Sequence, residues 1–93
     1  MQYSHQAQLS EIAALPAAGE SPVHFWSGNL RHQIVAKEDS GWSLLESTGS
    51  LVGEFVAHDG DFAIIDEDGD QIERFATWRS AVRNILRRGL RAA

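Results

Sequence analysis

Apolar residues follow two different rhythms along this chain. From Val23 to Phe75 they come in short runs, "VHFWS", "LRHQIVAKE", "WSLLES", "LVGEFVA", "DFAIID" and "QIERF". Gly28-Asn29, Asp39-Ser40-Gly41, Thr48-Gly49-Ser50, Asp59-Gly60 and Asp68-Gly69 separate them. Runs of near-alternating side chains read as strands, and Gly, Asn and Asp supply the backbone conformations that tight turns need. Turn signals that recur about every ten residues predict an antiparallel meander of about four to six strands over residues 23–76. A two-residue turn at Gly28-Asn29, of type II′, would set Phe25 opposite His32 and His24 opposite Gln33.

After Thr77 the period changes. Trp78, Ala81, Val82, Ile85 and Leu86 fall at i, i+3, i+4, i+7 and i+8, one apolar stripe on an α-helix. Thr77 suits the N-cap, and Gly89 beyond Arg87 and Arg88 suits termination, so the helix is predicted over residues 77–88. A weaker stripe of Leu9, Ile12 and Ala13 behind Ser4 predicts a short helix over residues 4–14, closed by Pro16, with a loop over 16–22. The fold expected is a single α+β domain over residues 1–93, its meander packed against the C-terminal helix.

Both faces of the strands carry apolar groups. Leu51, Phe55 and Ala57 point one way and Val52 and Val56 the other; Leu44 and Leu45 split likewise, as do Phe62 with Ile64 against Ile65. Such a sheet needs cover on one face and at least part cover on the other. The helix is expected on the first, and the N-terminal segment or a second copy of the chain on the other.

Ninety-three residues with 43% apolar content suit one small folded domain. There is no cysteine, which removes disulfides, thiolate metal sites and a cysteine nucleophile and suits a reducing compartment. No apolar run approaches the roughly 20 residues that span a bilayer, and the first residues lack a basic n-region. A cytoplasmic location without membrane contact is the expectation.

Charge divides the chain. Residues 1–73 hold all 13 acids and only Arg31 and Lys37 as cations, whereas residues 74–93 hold six arginines and no acid. At the acidic end, Asp66, Asp68, Gly69 and Asp70 resemble the start of a calcium loop. With Asp66 as its first position, however, Gln71 stands where that loop needs Gly and Thr77 where it needs a bidentate Glu. Asp-Gly turn chemistry accounts for the stretch, and no metal or cofactor is expected. His5, His24, His32 and His58 lack ligand spacing, and His24 and His32 would face opposite sides of their hairpin.

No nucleophile elbow, phosphate-binding loop or His-Glu-x-x-His motif occurs. General acid catalysis would need a carboxyl in an apolar pocket, and only Glu46 and Glu54 lie within strands where that could arise. The chain is therefore expected not to be an enzyme.

Arg79, Arg83 and Arg87 recur every four residues and form a stripe along the helix, with Arg74 leading into it. Such arginines could contact phosphates. The order "GWSLLES", "LVGEFVA", "DFAIID", "QIERFATWRSAVRNIL" also resembles the three-strand-and-helix DNA-binding domains of integrase arms. That resemblance implies DNA read from the sheet, but here the strands and turns carry most of the acids. Trp26 and Trp42 are the candidate partner anchors, since Trp78 belongs to the helix stripe. The function expected is a non-enzymatic accessory or regulatory protein that binds another protein or itself. Nucleic-acid binding through Arg74, Arg79, Arg83 and Arg87 is the alternative.

Overall fold

The structure is a computed structural model and describes residues 7–38 and 40–88. Six strands, β1 (Val23–Ser27), β2 (Leu30–Ala36), β3 (Gly41–Glu46), β4 (Leu51–His58), β5 (Asp61–Ile65) and β6 (Gln71–Phe75), precede helix α1 (Trp78–Arg88). The strands form one antiparallel sheet in sequence order. This is the α+β meander that the alternation predicts, at the upper end of the strand count.

The first hairpin keeps the predicted register, with Phe25 opposite His32 and His24 opposite Gln33. Gly28 takes φ +63°, the positive value that the first position of a type II′ turn requires and that a side chain would resist. At the other end of the sheet, Thr77 caps α1, its Oγ1 accepting the Ser80 N–H at 3.1 Å, and α1 extends to Arg88 as expected.

The N-terminal helix is corrected. Within residues 7–14 only Leu9–Glu11 turns, as one 3-10 turn, with the Glu11 carboxylate accepting the Gln8 N–H at 2.9 Å. A three-residue stripe cannot offset the cost of nucleating a longer helix, and Trp26 N–H instead bonds the Ala7 carbonyl at 2.8 Å. Ser4, Asp39 and Gly89, the other residues given roles at turns and termini, lie outside the described residues.

Residues paired across the ladders share a face, so the register sorts the sheet. Phe25, Ile34, Leu44, Phe55 and Ile64 lie on one face and are fully buried. Helix α1 covers that face over β4, β5 and β6, and Val82 and Ile85 complete its core. A Cβ on Gly53 would stand 2.6 Å from Ile85 Cγ2, so the bare backbone there lets the helix approach.

Of the two covers expected for the second face, the N-terminal segment is corrected for its described residues. The N-terminal segment lies beside the helix on the same face. Leu9 is buried in the core, Arg79 donates to the Ile12 carbonyl, and Trp42 Nε1 donates to the Pro16 carbonyl at 2.8 Å. Apolar area lost to water drives this arrangement, because residues 9–16 complete the cover of β1 to β3 that α1 leaves open. One face is thus double-covered, and among the described residues neither α1 nor residues 7–22 pack on the other.

Two β-bulges alter the simple alternation. One falls on β4 between the partners of Leu44 and Leu45, and one on β6 between the partners of Ile64 and Ile65. Leu51 consequently pairs with Leu45 and joins the face of Val56 rather than that of Phe55. One extra residue reverses every side chain beyond it.

Candidate functional site

The uncovered face carries Trp26 beside Arg31, His24 beside Gln33, and Val35, Leu45, Val56 and Ile65 further along. These four aliphatic side chains are half-buried by their neighbours alone. Two polar clusters punctuate the face. Glu54 accepts the Ser43 hydroxyl at 3.2 Å and pairs with Lys37 at 3.3 Å. Arg74 reaches His58 Nδ1 at 2.8 Å, the His58 carbonyl at 3.3 Å and Asp61 at 3.8 Å. Both clusters are half-exposed, where an ion pair contributes roughly 0–1 kcal/mol, so they orient side chains more than they stabilise the fold.

The two tryptophans part company. Trp42 lies on the covered face, stacked on Phe55 with ring centroids 5.4 Å apart and tethered to Pro16. That makes it a fixed part of the core. Trp26 lies half-buried on the open face, on the edge strand.

The four arginines do not assemble. Arg74 points from β6 onto the open face, across the sheet from α1. The Arg79 guanidinium lies 4.6 Å from the Trp78 ring centroid while it holds the Ile12 carbonyl. Arg83 and Arg87 stand exposed along the helix, and Arg88, also exposed, pairs with Glu73. Sequence spacing had placed all of these residues near one another, and only tertiary contacts reveal that half of the set is already engaged.

The acidic turn is explained locally. Carboxylate oxygens of Asp66, Asp68 and Asp70 come within 4.8 Å of one another. Asp66 Oδ1, however, accepts the N–H groups of both Asp68 and Asp70 at 2.9 Å, the bonding of an Asx turn.

Sequence reasoning did not single out the one histidine that is buried among the described residues. His32 is 4% exposed, stacks on Phe25 at 5.4 Å between ring centroids, and its Nδ1 finds no hydrogen-bond partner among the described residues. Burial lowers its pKa from 6.5, against the opposing pull of Glu46 and the Leu30 backbone. The unfolded chain therefore takes up this proton first. Stability is expected to fall as pH drops below about 6.5 and to level once the folded His32 titrates. Urea midpoints measured at about pH 7.5 and 5.5 should lose much of their difference in His32→Phe; an unchanged difference would assign the slope to other groups.

No helix among the described residues is long and apolar enough to cross a membrane. These features define a small α+β domain with one doubly covered and one open sheet face. Comparison with known proteins finds no matching family model, no matching curated protein and no matching solved structure.

Proposed function

We propose that this domain is a non-enzymatic accessory or regulatory protein that binds another protein through the open face of its sheet. One observation carries the reading: Val35, Leu45, Val56 and Ile65 line a sheet face on which, among the described residues, neither α1 nor residues 7–22 pack. A face with that apolar content and interspersed charge has the mixture found at non-obligate interfaces. Trp26 at its edge is the anchor, since a partly exposed tryptophan gains most when a partner desolvates it. A chain without cysteine suits work in the reducing cytoplasm.

A photo-crosslinking amino acid at Val35 or at Leu45 tests the reading, with Arg87 on the helix as the control site. The expected result is one crosslinked product shared by the two sheet positions, absent from the helix position, and weakened about tenfold by Trp26→Ala. A product of twice the chain's mass would make the partner a second copy. Crosslinks from Arg87 alone would overturn the reading, and they would move the function to the helix if accompanied by salt-sensitive capture of labelled duplex DNA or RNA that Arg83→Ala with Arg87→Ala abolishes.

A further inference from the structure

The bulges on β4 and β6 flank the end of β5 at Ile65. Bulges bend their strands and interrupt the ladder, and between these two the sheet opens a cavity of about 290 Å³. Its floor is apolar, made by Leu51, Val52, Ile65 and Ile72. Leu51 and Ile72 are each 43% exposed, two of the three large hydrophobic side chains that stand out from the surface of the described residues. Its rim is acidic, made by Glu54, Asp66, Glu67 and Asp68, and among the described residues no lysine, arginine or histidine lines it.

These two properties together select an occupant. A metal ion would have no use for a lining in which Leu51 and Ile72 stand exposed beside half-buried Ile65 and buried Val52. A lysine or arginine side chain matches both parts, its methylene stem lying along apolar surface while its charged head meets carboxylates. Asp66 and Glu54 already hold defined positions through the turn amides and through Ser43 and Lys37. The side chains of Glu67 and Asp68, by contrast, have no ion-pair partner among the described residues.

The cavity continues the open face, because Leu51, Glu54 and Ile65 belong to it. We infer that this cavity receives a lysine or arginine side chain borne on an apolar segment of the partner protein. The inference rests on the protein-binding reading and adds the partner's chemistry to it: apolar residues for the face and a cation for the corner.

The test uses the whole chain, isotopically labelled, and three short peptides as probes: one alternating Leu and Arg, one alternating Ser and Arg, and one alternating Leu and Glu. Spermidine is the fourth probe. Amide shifts on titration are expected from the Leu/Arg peptide alone, confined to residues 51–54 and 65–72. Its affinity should fall at least about tenfold in Leu51→Ser with Ile72→Ser, and similarly in Glu67→Lys with Asp68→Lys. Both pairs are surface changes, and far-ultraviolet circular dichroism confirms that each variant is folded. Asp59→Lys, on the β4–β5 turn at the other end of the same strands, reverses one carboxylate away from the cavity and should leave binding within about twofold.

Equal binding of the Ser/Arg peptide, equal loss in Asp59→Lys, or equal shifts from spermidine would overturn the inference, each showing attraction to charge alone. If a partner crosslinks at Leu45 and Val35 while the Leu/Arg peptide leaves residues 51–54 and 65–72 unmoved, the protein-binding reading stands and the cavity assignment falls. If the crosslinking fails as well, both fall.

Discussion

Phe55→Ala is expected to lower the unfolding free energy by about 3–5 kcal/mol. Phe55 is fully buried in the middle of β4. Its ring stacks on Trp42 at 5.4 Å and meets the edge of Phe62 at 6.4 Å. Trp42 in turn bonds the Pro16 carbonyl, so the ring supports the chain's own attachment of its N-terminal segment as well as the sheet core. A domain of this size has a total stability of only about 5–14 kcal/mol, so this one substitution removes at least about a fifth of it. Urea unfolding followed by tryptophan fluorescence measures the loss, and near-ultraviolet circular dichroism should weaken as Trp42 loses its stack. Phe55→Leu, which keeps most of the volume, should cost markedly less. A loss below about 1 kcal/mol in Phe55→Ala would mean that the aromatic trio is not the centre of the core.

Much of this core was legible before the structure. Period-2 runs between Gly- and Asp-rich turns specify strands, and in a meander each strand pairs with its sequence neighbour, so local signals fix the topology as well. The Gly28-Asn29 turn even set the pairing of Phe25 with His32. The C-terminal helix was equally plain, because Thr77 and the stripe from Trp78 to Leu86 agree on its start and its buried side. What local pattern could not supply was any feature that depends on distant contacts or on a single extra residue. Nothing in "LVGEFVA" or "QIERF" marks Val52 or Ile72 as a bulge, yet those two residues reverse Leu51 and open the acidic cavity.

The candidate site was legible to a smaller degree, for the same reason. The arginine spacing is a property of the helix and was read correctly, but the engagement of Arg79 depends on Ile12, and that of Arg74 on His58 and Asp61. Trp42 and Trp26 look alike in sequence; a hydrogen bond to Pro16 puts one in the core, and its absence from the covered side leaves the other at the edge of the open face. The apolar stripe of Leu9, Ile12 and Ala13 marks a segment that needs cover, but not the face on which it packs, since both faces offer apolar strands.

The packing of α1 against β4 makes a second large effect. Gly53→Ala should cost about 1–3 kcal/mol, because its new Cβ would stand 2.6 Å from Ile85 Cγ2 in a fully packed core. Ile85→Ala should cost about 2–5 kcal/mol by leaving a cavity over the same backbone. The two losses are not independent. In the double variant the Gly53→Ala methyl enters space that Ile85→Ala vacates, so the combined loss should fall short of the sum by about 0.5–3 kcal/mol. Urea unfolding of the four proteins, with far-ultraviolet circular dichroism to confirm that the helix persists, completes the cycle. Strict additivity would mean that the helix does not rest on Gly53. A shortfall would show that one missing side chain on β4 sets how closely α1 lies on the sheet, and hence that the covered face is closed by packing.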